Sequence, residues 1–159
     1  MIIKTFGERL KKIRTLMGLT QKELSQKAGF SATNSSADVR IRQYESNRML
    51  PKVDALKRLA QALDVDASAL FTAEIQSKEE LLHILFELED EYNLKTEKDG
   101  SDFILRFSNL AEQDRQLQIY FDNWHREQLK YRKNLINKRD YDIWKGKFPS
   151  VTEVDKQAV

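Results

Sequence analysis

The chain has 159 residues, 40% of them hydrophobic and 33% charged, and a formal net charge of +2. With only 5 glycines and 2 prolines it lacks the material for long loops or a β-sandwich, which points to one or two small, helix-rich domains. The absence of cysteine excludes a disulfide framework and thiolate metal sites and fits a reducing cytoplasm.

The opening MIIKTFGERLKK has too short an apolar run for a signal peptide, and no segment is apolar enough to span a bilayer. Charge is unevenly divided. Residues 1–74 hold 13 Lys/Arg against 8 Asp/Glu, or +5, whereas residues 75–159 hold 14 against 17, or −3. A basic part beside an acidic part fits a polyanion-binding module joined to something else, and equally fits chance variation of surface charge.

In chain order, Phe6, Leu10, Ile13 and Met17 form one helical stripe that ends at Gly18. Thr20 opens TQKE, a capping box with Glu23, and starts a short helix that stops at Gly29. A small, polar stretch follows, with no apolar side chain from Ser31 to Ser36 except Ala32. Ala37, Ile41 and Tyr44 mark a third helix closed by Asn47. Pro51 precedes a fourth helix carrying Val53, Leu56, Leu59, Ala60 and Leu63, and Asp66 caps a last short helix with Leu70 and Phe71.

Beyond residue 75, Leu81, Leu82, Leu85, Phe86, Leu88 and Tyr92 give a helix with a wide apolar face, which needs more than one partner. Asp99-Gly100 suits a tight hairpin turn, and the alternation of Phe103, Leu105 and Phe107 predicts a strand with one buried face. Leu117, Phe121, Trp124, Gln128, Tyr131 and Leu135 form a coiled-coil-like seam on a long helix. DYDIWKGKFP reads as a small helix whose Tyr141, Trp144 and Phe148 pack back onto the body. The expected division is therefore 1–74, 75–148 and a disordered tail over 149–159.

RLKKIRTLMGLTQKELSQKAGF, IRQYESNRMLP and LKRLAQALDVDASALF, in that order, resemble the phage repressor/Cro (Xre-type) helix-turn-helix family over about residues 6–71. The resemblance implies a five-helix, lambda-repressor-like DNA-binding domain, here followed by a helix–β-hairpin–helix region in a mainly α chain. It implies that Gln21 donates to phosphate at the N-terminus of the second helix, where the helix dipole helps. The third helix would enter the major groove, placing Asp38, Val39, Arg40, Arg42 and Gln43 toward base edges. Arg can pair bidentately with guanine and Gln with adenine, although both arginines could instead contact phosphate without reading bases. Asp38 would repel phosphate, and could cap the helix or accept from a cytosine. Asn47 and Arg48 fall in the loop that touches the backbone, with Asn47 replacing the usual Gly. Ile41 and Tyr44 map to core, and Arg14 with Glu45 to a structural pair.

The departure from the family is the polar insert, since Ser31 and Ile41 are ten positions apart. Either Ser35 or Ser36 caps a helix of ordinary length, or the helix begins near Ser31; the good caps and poor helix formers favour the first. Asn34, Ser35 and Ser36 would then add phosphate or groove contacts, the alternative being a solvent-covered spacer.

No catalytic constellation emerges. His83 and His125 are the two histidines, and Glu80-x-x-His83 has metal-site spacing without a second copy. There is no Gly-rich phosphate loop and no GxSxG, so no enzyme activity, cofactor, metal or small-molecule ligand is expected. The family implies a twofold dimer on palindromic half-sites. Leu81, Leu85 and Leu88 with Leu117, Phe121 and Trp124 would supply the dimer contact, unless they close a monomeric core. Residues 75–148 also resemble accessory C-terminal halves of small regulators of mobile elements. The expectation is a cytoplasmic, homodimeric transcriptional regulator acting on double-stranded DNA, and a repressor, because repression needs only occupancy. The alternative is an antitoxin-type or conjugation/replication accessory protein whose C-terminal half binds a partner protein.

Overall fold

The computed structural model describes residues 5–30, 37–71 and 75–149. They fold into two compact units.

The first unit begins with α1 (Phe6–Leu16), α2 (Gln21–Lys27), α3 (Ala37–Glu45), α4 (Val53–Leu63) and α5 (Ala67–Leu70). Local chemistry sets most of the boundaries. Thr5 and Glu8 form a capping box at the start of α1, and Thr20 and Glu23 repeat it at α2. Gly18 at φ 72°, Gly29 at φ 68° and Asp64 at φ 54° supply left-handed turns after α1, α2 and α4. The Asp66 side chain accepts from Ser68 N and starts α5.

The inward faces make one core of Phe6, Leu10, Ile13, Leu24, Ala28, Ile41, Tyr44, Leu59, Ala60, Leu63 and Leu70. Phe6 meets Tyr44 edge-on with centroids 6.4 Å apart. Burying side chains of this size contributes about 1.5–3 kcal/mol each, so packing rather than helix propensity holds these short helices. At Gly7 an added Cβ would lie 2.5 Å from the carbonyl oxygens of Tyr44 and Glu45, so only glycine lets α1 approach the end of α3 this closely.

A sixth helix, α9 (Lys138–Lys147), belongs to this same unit, packed on α1 and α5. This differs from the sequence-based division, which grouped 136–148 with the region after residue 75. Long-range contacts that no local pattern announces are the reason. The Gly146 carbonyl accepts from Asp66 N at 3.0 Å, and a Cβ at Gly146 would sit 3.2 Å from Val65. Arg139 donates to the Leu16 carbonyl, Lys147 pairs with Asp64, and Tyr141 is buried.

Asp142 anchors α9 electrostatically. Its carboxylate lies 2.6 Å from Lys138 Nζ, 2.6 Å from Lys145 Nζ and 3.5 Å from Lys12 Nζ of α1. Burial pushes its pKa up, but the lysines outweigh burial and bring it down to about 2.

The second unit contains α6 (Lys78–Tyr92), β1 (Leu94–Asp99), β2 (Asp102–Phe107), α7 (Leu110–Gln113) and α8 (Arg115–Arg132). The strands pair antiparallel from Leu94↔Phe107 to Asp99↔Asp102. The two-residue loop is therefore Gly100-Ser101, one position later than the Asp99-Gly100 reading, with Gly100 at φ 58°. The expected buried face of β2 is absent: Phe103 is 73% and Leu105 50% exposed. A lone two-stranded ribbon is covered only where another element reaches it, and here α6 packs on β1 while Phe107 meets Phe121 of α8 at 5.1 Å. Leu135 of the seam lies beyond the end of α8 and is exposed. The expected tail beyond Pro149 lies outside the described residues. No helix among the described residues is long and apolar enough to cross a membrane.

The Asp142 pKa makes a pH-dependent prediction. A carboxyl held below its unfolded pKa of about 3.9 stabilises the fold fully above that value, and this contribution is lost as pH falls toward 2. Asp142→Asn should unfold at lower urea concentration than wild type at pH 7, and the difference should vanish by about pH 2.

Candidate nucleic-acid interface

Three helices converge on one carboxylate. Glu45, at the C-terminal end of α3, accepts from Arg14 Nε at 2.5 Å, Arg14 Nη2 at 3.2 Å and Gln21 Nε2 at 2.7 Å. Arg14 also donates to the Leu19 carbonyl at 2.6 Å, tying down the turn before α2. The Glu45 and Arg14 side chains are only 6% and 12% exposed, so the pair is screened little by solvent. The network fixes α3 against α1 and α2. It also holds Gln21 by one amide hydrogen, which leaves the second amide N–H at the α2 N-terminus, where the backbone is positive. The Thr20 backbone and hydroxyl meanwhile hold the Glu23 carboxyl below its ordinary range.

On α3, Ile41 and Tyr44 are buried at 0% and 4% exposure. Around the rest of the helix Arg40 and Arg42 are exposed, with Asp38, Val39 and Gln43 half-buried. Arg42 pairs with Asp38 one turn earlier. The Arg40 guanidinium lies over the Phe30 ring, 5.2 Å from the centroid. Arg58 of α4 stacks on the same ring at 4.7 Å and reaches the Gly29 carbonyl at 3.4 Å. Sequence reading missed Phe30 and Arg58, because their meeting depends on the packing of α4 on α2, which no spacing in the sequence encodes.

After α3, the Gln43 carbonyl accepts from Ser46 Oγ, Arg48 N and Met49 N, which curls the loop and leaves the Arg48 side chain exposed. Asn47 has φ 56°, as its place in the loop requires. Its side chain, however, is committed inside the protein. Asn47 Oδ1 accepts from Gly7 N at 2.8 Å, and Nδ2 donates to Thr5 Oγ1 at 2.9 Å. This amide thus ties the loop expected to touch the DNA backbone to the start of α1. Asn34, Ser35 and Ser36, with both placements of the insert, lie outside the described residues.

Residues 7–74 match the family model described as a helix-turn-helix domain. The chain is also 37% identical to the immunity repressor protein of Bacillus phage phi105 over 95 residues, 60% of this chain and 56% of that protein. The chain therefore spans little more than half the length of this relative. No solved structure matches. The N-terminal unit is accordingly a DNA-binding helix-turn-helix domain. Its class is the phage repressor/Cro (Xre) type, as the motifs in the sequence suggested.

Glu45→Ala should leave the Arg14 charge nearly buried and unpaired, at a cost of about 3 kcal/mol measurable by urea unfolding. Glu45→Gln, which keeps acceptor geometry, should lose less.

Proposed function

We propose that the protein is a cytoplasmic transcriptional repressor, belonging to a mobile element, that occupies a palindromic DNA operator as a homodimer. The observation that carries this reading is the division of α3. Ile41 and Tyr44 hold one face in the core, while Arg40 and Arg42 are exposed elsewhere on the helix, with Gln21 at the α2 N-terminus and Arg48 exposed in the following loop. Donors from a helix N-terminus and a loop can hold the phosphates of two strands while an α-helix lies in the groove between them. The immunity repressor relative supports repression as the outcome, since a bound dimer over a promoter is sufficient for it.

The expected measurements separate reading from anchoring. Arg42→Ala or Gln43→Ala should weaken a selected duplex by roughly tenfold or more and a scrambled one much less. Gln21→Ala should weaken both alike and reduce the salt dependence of binding by about one counterion. Equal losses on both duplexes for Arg42 and Gln43 would make them backbone contacts.

The second unit supplies the reason for a dimer. Among its described residues only Ile75, Leu94, Leu110 and Asn123 are buried, while Leu82, Ile84, Phe86, Phe103, Ile104, Leu105 and Trp124 are exposed. Leu81, Leu85, Leu88, Leu117 and Phe121 are half-buried within the unit, so the open apolar surface includes neighbours of the residues first assigned to dimerisation. A second copy is the fitting cover. α6 carries six acidic residues against Lys78, whereas α8 carries Arg115, Arg126, Lys130 and Arg132 against Asp122 and Glu127, so a twofold contact can set a net acidic helix against a net basic one twice. The wild-type chain should sediment as a dimer and Phe103→Ser/Leu105→Ser as a monomer. A monomeric wild type would assign the face to a different protein partner. Truncation after residue 74 is a poor test, because it also removes α9.

A further inference from the structure

The pairing of Asp38 with Arg42 lies on the solvent side of α3, on the helix proposed to read DNA. A carboxylate there is at first sight a liability, since it faces a polyanion. Its surroundings give it a purpose. Arg42 follows it by one turn, and long helical side chains lean toward the preceding turn, which brings the guanidinium over Asp38. Arg42 donates from Nη2 to Asp38 Oδ2. The pairing with Arg42 lowers the Asp38 pKa, and Lys22 of α2 adds to it, so the carboxylate stays charged and faces cations from two helices.

An unrestrained arginine at the surface samples many rotamers, and bidentate pairing with guanine needs one of them. Anchoring one nitrogen to a carboxylate on the same helix removes much of that freedom. It leaves most of the N–H fork open, and the Arg42 side chain is indeed 61% exposed. An aspartate in this position also rejects a bare phosphate contact for its arginine, because phosphate would approach the carboxylate itself.

We infer that Asp38 is a positioning residue that holds the Arg42 guanidinium ready for a guanine edge, so that it sets base specificity rather than affinity for DNA in general. This rests on the reading of α3 as the groove helix. Asp38 touches no base in this role and acts through Arg42.

The test uses the full-length protein, a duplex selected by the wild type from a random pool, and a scrambled duplex of equal length. Asp38→Ala should bind the selected duplex about tenfold more weakly while binding the scrambled duplex equally or more tightly. Single base-pair substitutions across the selected duplex should show the lost preference at one G·C pair, the same pair lost in Arg42→Ala. The double variant should be no weaker than Arg42→Ala alone, and Asp38→Asn, which retains an acceptor, should recover part of the loss. Thermal unfolding of each variant separates a folding defect from a binding one. If Asp38→Ala tightens both duplexes alike, or weakens both alike, the carboxylate does not position Arg42 and the inference is overturned. If Arg42→Ala itself shows no selective loss, the reading role of Arg42 falls and the inference with it. Selective loss in Arg42→Ala without selective loss in Asp38→Ala overturns the inference alone.

Discussion

The Glu45 carboxylate is the constraint on which the N-terminal unit depends. A charge at this depth is unfavourable unless it is paired and hydrogen-bonded, and Arg14 and Gln21 meet that demand from two other helices. Satisfying one group therefore specifies the mutual placement of α1, α2 and α3. Apolar packing alone would tolerate small slides among these helices, whereas a forked guanidinium on a carboxylate tolerates few. The same network orients Gln21, so the device that stabilises the scaffold also presents a donor at the helix N-terminus. Asn47, bonded to Gly7 and Thr5, does the corresponding work where α3 ends against the start of α1.

The α9 helix extends this logic along the chain. It returns from the second unit to lie on α1 and α5, with Asp142 among three lysines and the Gly146 carbonyl on Asp66 N. The helix-turn-helix unit thus includes residues that follow the intervening unit in sequence. A segment whose two ends both lead into one folded body is restrained more than a segment tethered once, because loop closure removes conformational freedom at each end.

The two units differ in how they satisfy their apolar residues. In the first, one cluster from five helices buries most of the large side chains. In the second, a helix, a two-stranded ribbon and a long helix bury little, and Phe103, Leu105 and Phe86 remain in water. Ribbons of two strands are marginal by themselves, so such a face is the part of the chain with most to gain from association.

Much was legible beforehand. The capping box at Thr20, the stripe of Phe6, Leu10 and Ile13, and the left-handed stops at Gly18, Gly29 and Asn47 are local signals, and local signals survive in sequence. The pairing of Arg14 with Glu45 came from family likeness and stands in the geometry. What sequence missed was long-range: Phe30 between Arg40 and Arg58, Asn47 engaged by Gly7, and the exposure of a strand whose alternation promised a buried face. Alternation says which side chains share a face, but only the packing of other elements says whether that face is covered. The sequence by itself determined the helices, their caps and the helix-turn-helix order, because these depend on residues a few positions apart. Only the tertiary structure decided that α9 belongs to the DNA-binding unit and that Asp38 holds Arg42. The first depends on contacts between residues far apart in the chain, and the second on which of several partners a surface carboxylate takes.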